Sequence, residues 1–256
     1  MKTLVRRLFI LAGTIMMVLI ILSLVVVPVA AATLGPTLLR NAGLHSNSLS
    51  VHLDTSLNFL TGNVDSLTIS SGPLEVEGRF SSADATVSLE NVNLTNNTFN
   101  SVTMKANEPV ATMASGEVVQ ARYLRGQGPA NAIVAEARFS AADLLAIVSL
   151  PAVAKRLNLT ITKLTLGDGS VLIQTSDGEY QARLSVDPTG RLLLTLDGGA
   201  TRVLWNASGP DAQDWRLTGV SIDANGVTAT ALFDGAAFLA RYPSLRDLFG
   251  GFIPAL

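Results

Sequence analysis

The sequence predicts a β-dominated α+β fold: a curved, mostly antiparallel sheet packed on one central helix and preceded by an N-terminal transmembrane helix. Three observations carry that expectation. Apolar and polar side chains alternate with period two through most of the chain beyond about residue 48. Turn signals separate these runs at intervals too short for parallel crossovers. One charge-free apolar stretch, Leu8 to Ala32, and one segment of helical periodicity, from Ser140, break the pattern.

The first element is the apolar stretch. No residue between Arg7 and Arg40 is charged, Lys2, Arg6 and Arg7 precede the run, and the first acidic residue is Asp54. A basic flank followed by an apolar span delivers the remainder of a chain to the far side of a membrane. About 20 residues are needed to cross a bilayer, whereas a signal-peptide core has about 7–15. By length the run is a spanning helix; Pro28 and Ala30-Ala31-Ala32 also offer a small-residue cleavage site. The expected localisation is the cell membrane, single-pass, with the C-terminal domain outside the cytoplasm, or secretion after cleavage near Ala32. The expected division is an anchor or long signal at 1–32, a linker or short helix at 33–47, a β-rich domain at 48–235 and a helical tail at 236–256.

Without Lys2, Arg6 and Arg7, 15 of the 18 basic residues face 20 acidic ones, a net charge of −5. An acidic domain without a Lys/Arg cluster has no electrostatic footprint for nucleic acid and no polybasic patch for anionic lipid. Cysteine is absent, which removes disulfides, zinc-thiolate sites and a cysteine nucleophile. A domain of about 220 residues must then be held by its core, and that length suffices. Charged residues are 15% of the chain, against about 25% in ordinary soluble proteins. Enrichment in Ser, Thr, Asn, Val and Leu is strand composition.

The strands follow from alternation. Leu49, Val51 and Leu53 alternate with Ser50, His52 and Asp54; Val87 and Leu89 with Ser88 and Glu90; Leu184 and Val186 with Ser185 and Asp187. Leu192, Leu194 and Leu196 share a face, as do Val227, Ala229, Ala231 and Phe233. Turn signals stand at Thr61-Gly62-Asn63, Ser71-Gly72-Pro73, Gly167-Asp168-Gly169, Asp177-Gly178, Pro188-Thr189-Gly190 and Asn225-Gly226. The last predicts a hairpin over Ile222–Val227 with positive φ at both Asn225 and Gly226. The apolar side switches phase at Lys163 and at Gly219-Val220, which predicts bulges. Ser140-Ala141-Ala142-Asp143 reads as a capping box, and Ala141, Leu144, Leu145 and Val148 continue at helical spacing until Pro151. Phe238, Tyr242, Leu245, Phe249 and Phe252 suggest a terminal helix.

No catalytic chemistry is legible. The two histidines, His45 and His52, lie near the leader, and no H-E-x-x-H, G-x-S-x-G, Walker or dinucleotide motif occurs. Gly126-Gln127-Gly128 and Gly167-Asp168-Gly169 read as turns. Asp168, Asp177, Asp187, Asp197, Asp211, Asp223 and Asp234 stand at strand ends or turns, where Asx turns explain them without a metal. Trp205 and Trp215 read as core. The chain is expected to be no enzyme and to carry no cofactor or metal; a carboxylate pair meeting through space is the one catalytic alternative.

Several stretches carry a family resemblance. Phe59–Ile69 (FLTGNVDSLTI) is followed by Leu74–Gly78 (LEVEG) and Ser82–Val92 (SADATVSLENV); Ala135–Leu144 (AEARFSAADL) steps from strand to helix; Trp215–Val227 (WRLTGVSIDANGV) reads as a closing hairpin. Over roughly Leu49 to Asp234 the chain resembles the bacterial LmeA-like phospholipid-binding family, once a domain of unknown function. The resemblance implies an extracytoplasmic lipid-binding protein with a curved sheet wrapped on a helix, in the manner of tubular lipid-binding domains. Only Thr33 to Leu44 stands where family members carry a longer charged helix.

An apolar groove in a bowed sheet gains about 0.8 kcal/mol per acyl methylene removed from water and needs no catalytic residue. Its candidate lining is Leu144, Leu145 and Val148 on the helix, with Leu192, Leu194, Leu196, Leu217 and Phe233 on strands. The expected partners are the membrane, through the N-terminal anchor, and a phospholipid or other acyl lipid. The alternative is a non-enzymatic adhesin-like or scaffold β domain binding a protein or glycan.

Overall fold

A computed structural model describes residues 44–46, 48–54, 63–76, 80–93, 98–112, 118–150, 154, 160–205 and 215–237. The expected anchor, the linker before Leu44 and the tail from Phe238 lie outside the described residues. Eighteen strands in three antiparallel sheets and one named helix make up the described fold.

The largest sheet has eight strands. In spatial order they are β17 (Trp215–Asp223), β18 (Gly226–Phe233), β11 (Ile133–Phe139), β10 (Tyr123–Pro129), β7 (Ser101–Asn107), β6 (Asp84–Asn93), β3 (Asn63–Ser71) and β2 (Leu49–Asp54). Alternation decides which face each strand buries. β2 alternates half-buried Leu49, Val51 and Leu53 with exposed Ser50, His52 and Asp54, and β6 buries Ala85, Val87 and Leu89. The opposite face carries hydroxyl and amide pairs such as Thr68–Ser88 at 2.9 Å and Asn107–Asp84 at 2.8 Å.

Five short strands form a second sheet in the order β1 (Leu44–Ser46), β4 (Leu74–Val76), β5 (Phe80–Ser82), β8 (Val110–Thr112) and β9 (Val118–Gln120). This sheet is the continuation of the first across a crease. Leu49 pairs with Ser71 before the crease and Ser46 with Leu74 beyond it, a three-residue step on both strands. The same step leads from Ser71–Ala85 to Leu74–Ser82, from Asp84–Asn107 to Ser81–Val110, and from Asn107–Tyr123 to Val110–Gln120. Backbone bonds persist along the line: Gly72 N–H donates to Ser48 O at 3.1 Å, Ala83 N–H to Asn107 O at 3.0 Å and Glu108 N–H to Arg122 O at 2.9 Å. Glu108 turns the corner in left-handed backbone with φ 47°.

The crease corrects two expectations. Ser71-Gly72-Pro73 does not reverse the chain into a hairpin; it bends a strand that keeps both its neighbours. Leu44–Ser46 is a strand, so the β-rich region begins inside the stretch assigned to the linker. The bent flap helps close the main core, because Leu74 and Phe80 join the cluster of Leu67, Val87, Leu89, Met104, Trp215, Leu217 and Phe233. Trp215 stacks on Phe233 with centroids 4.3 Å apart.

Where β11 reaches the crease it does not continue into the flap but enters α1 (Ala141–Ser149). The expected capping box is present: Asp143 N–H donates to Ser140 Oγ at 3.2 Å, and Ser140 N–H to Asp143 Oδ2 at 2.7 Å. Leu150 is extended, as a residue before proline prefers, and ends the helix. None of the nine helical residues is buried, so α1 does not fill the interior of the sheet as a central helix would.

The third sheet is a five-stranded meander, β12 (Ile161–Leu166), β13 (Val171–Thr175), β14 (Gly178–Val186), β15 (Leu192–Leu196) and β16 (Thr201–Trp205). Register shifts fall between Ile161 and Lys163 and between Leu217 and Gly219, where the phase changes predict bulges. The β14–β15 hairpin is docked against β17 at its tip. Gly190, at φ 79°, lies so close that a Cβ there would stand 2.9 Å from Arg216 Cγ and 3.3 Å from Leu217 O.

Hairpin β17–β18 forms over the predicted residues with a different turn. Asp223 pairs with Gly226, leaving Ala224 and Asn225 as the loop, and neither Asn225 nor Gly226 has positive φ. Asp223 Oδ1 accepts the Asn225 N–H at 2.7 Å and closes an Asx turn. Gly226 is required by close approach instead, since a Cβ there would lie 2.7 Å from Phe139 O and 3.0 Å from Arg138 Nε.

Candidate apolar binding site

Seven of the eight predicted lining residues divide between two apolar clusters. Leu217 and Phe233, 2% and 0% exposed, are buried in the main core, with half-buried Leu192 packed against it. They belong to that interior and not to the second cluster. Leu194, buried, and Leu144, Val148 and Leu196, half-buried, meet in a second cluster bounded by α1, the inner face of the third sheet and the Ile222–Val227 end of β17–β18. Leu145 packs into neither.

Hairpin β14–β15 explains the division. Its tip pair, Val186 and Leu192, reaches the main core, whereas Leu184–Leu194 and Ala182–Leu196, nearer its open end, belong to the second cluster. One apolar strand face therefore serves two interiors.

The clusters differ in how far they are covered. Among the described residues the main core has twenty buried apolar residues and eight half-buried ones packed on it. The second has six buried, Val171, Ile173, Ala182, Leu194, Ile222 and Val227, and ten half-buried, among them Ile161, Leu164, Leu166, Tyr180 and Leu204. A core of closed type buries most of its members. The second cluster is instead a wall of mostly half-buried apolar side chains, of which the predicted lining names only Leu194 and Leu196 on β12–β15.

Helix α1 borders the cluster with Leu144 and Val148 and packs Ile147 and Leu150 on Val119, Ala121 and Phe139. Its exposed side carries Ala142, Ala146 and Ser149, with half-buried Leu145 between them. Beside its N-terminus Arg138 Nη2 donates to Asp223 Oδ1 and Oδ2 at 2.7 and 2.8 Å. This bond holds the Asp223 carboxyl below the usual carboxylate range and raises the guanidinium. Thr189 hydroxyl and Arg191 N–H likewise hold Asp187 well below that range, at the hairpin tip.

The predicted non-site residues are placed as follows. His45 and His52 are exposed on β1 and β2, Trp215 is core, and the Trp205 side chain lies outside the described residues, as does Asp211. Asp187, Asp223 and Asp234 accept backbone N–H groups two or three residues ahead, as Asx turns and caps do. Among the described residues no three His, Asp or Glu side chains converge on a metal position, and no helix is long and apolar enough to cross a membrane.

No family model matches the chain, and no curated protein and no solved structure is similar to it.

Proposed function

We propose that this chain is an extracytoplasmic, membrane-anchored lipid-binding protein. It holds the acyl chains of a phospholipid or similar lipid against the second apolar cluster, between α1, β12–β16 and the Ile222–Val227 end of β17–β18. The observation that carries the reading is the partly buried apolar wall, where ten half-buried residues are packed against six buried ones. Contact with an acyl chain removes such surface from water, at about 0.8 kcal/mol per methylene buried. The strand patterns that resemble LmeA-like proteins support the same reading, as does the charge-free run before Arg40.

The test is photo-crosslinking in membranes that contain the full chain and a phospholipid with a diazirine near its acyl terminus. The expected adducts fall on inward residues of β12–β15, around Leu164, Tyr180 and Leu196. Adducts confined to residues 8–32 would reduce the protein to a tethered β domain.

A further inference from the structure

We infer that the outer side of α1 is seated in the interface of the membrane that holds the N-terminal anchor, which places the mouth of the apolar cluster at the lipid surface. This deepens the proposed function and rests on reading Leu8–Ala32 as membrane-inserted.

Three features lie on the crease side of the strands, with β1 and β9 as the two edges of the flap. The chain enters the described fold at Leu44, the outer end of β1 in the flap, with only eleven residues between it and Ala32. Helix α1 starts on the same crease line, because Arg122 N–H donates to Arg138 O at 2.7 Å and Ser140 caps the helix two residues later. The Ile222–Val227 end of β17–β18 lies there too, since Val227 pairs with Phe139. The point where the chain enters the described fold, the helix and the cluster thus lie at or beyond the crease, Leu44 at one edge of the flap and α1 beside the other.

The chemistry of α1 fits an interface and not bulk water. Of its nine residues only Asp143 is charged, and that carboxylate is turned back onto Ser140. A helix apolar around its circumference is ordinarily buried, yet no residue of α1 is. Its outer side, Ala142, Leu145, Ala146 and Ser149 at i, i+3, i+4 and i+7, is uncharged. Val118, 50% exposed, stands at the outer end of β9, the strand that packs beside α1. A face this small binds a bilayer weakly by itself. Carried on a fold that joins the anchor through residues 33–43, it meets the membrane at high effective concentration.

The absence of cysteine makes the test direct. Ala142→Cys and Ala146→Cys on α1, and Arg125→Cys and Thr218→Cys on exposed positions of the main sheet, are introduced singly into the full chain. Each is labelled with an environment-sensitive fluorophore in nanodiscs and quenched by doxyl-phosphatidylcholine or by aqueous iodide. The expected result is at least threefold stronger lipid-nitroxide quenching, and threefold weaker iodide quenching, at 142 and 146 than at 125 and 218. Equal iodide access at all four sites overturns the inference, as does protection from both quenchers, which signifies a protein cover. The crosslinking experiment separates the two readings. Adducts on β12–β15 with iodide-accessible α1 sink the seating alone, whereas quenching of α1 by lipid without such adducts sinks the cargo alone.

Discussion

Truncating one leucine in each apolar cluster separates a closed core from a lipid-facing wall. Leu217 is 2% exposed among Trp215 and Phe233. Leu217→Ala leaves a cavity in a packed interior and is expected to cost about 2–5 kcal/mol, a large share of the roughly 5–15 kcal/mol that a domain has. Leu196 is half-buried opposite Ala182. Its truncation forfeits about half of the roughly 1.5–3 kcal/mol for burying such a side chain, near 1 kcal/mol, with a smaller cavity term because the side chain is only half-buried. Lipid retention should respond in the reverse order. An acyl chain that loses contact equivalent to one or two methylenes is held about 1–1.5 kcal/mol more weakly, close to tenfold. Urea unfolding of the full chain in micelles, followed by tryptophan fluorescence, reads the first quantity; exchange of a fluorescent phospholipid reads the second. The reasoning fails if Leu196→Ala costs 3 kcal/mol or more and leaves lipid exchange unchanged, for then the second cluster is ordinary core.

Three further outcomes are expected. Gly226→Asn should destabilise at least as much as Gly226→Ala, each by about 1–3 kcal/mol in chemical denaturation, because the obstacle is Phe139 O at 2.7 Å; a tolerated Asn would restore the left-handed turn. Asp187 and Asp223 have lowered folded pKa values, so their stabilisation is present above about pH 4 and is lost as pH falls through that value toward the folded ones. Asp187→Asn and Asp223→Asn should therefore weaken the protein at pH 7 and flatten its decline between about pH 4.5 and 2; variants that track the parent's acid curve contradict this. Ser140→Ala removes a cap worth about 1 kcal/mol, and should speed hydrogen exchange at Leu144 N–H, which bonds Ser140 O at 3.0 Å, without altering exchange at Ala106.

Local physics was legible and long-range physics was not. Alternation on β2, β6 and β18 reports which residues share a face, because the pleat has period two. The bulges near Lys163 and Gly219 are visible as phase changes, and the α1 cap as Ser140 and Asp143 at their spacing. Asn225-Gly226 marks a hairpin but not its turn residues, because the approach of Arg138 and Phe139 to Gly226 comes from 87 residues away. Ser71-Gly72-Pro73 signals a change of direction; whether the chain reverses or only bends depends on which strands remain its neighbours. The site divides for the same reason. Leu192, Leu194 and Leu196 share a face, and nothing local says that the docked hairpin carries the first into one interior and the others into another.

The shared three-residue step through the crease has a genetic corollary. Each of the five folded strands spends the same number of residues crossing the line, so the lengths of five separate chain segments are interlocked. Deleting Ala83 alone would move Phe80 one position along β5 and turn its ring away from the interior while leaving β6 untouched. A length change at this line therefore costs register in two sheets at once, whereas the β13–β14 turn at Ser176-Asp177 closes a single hairpin, Thr175 opposite Gly178.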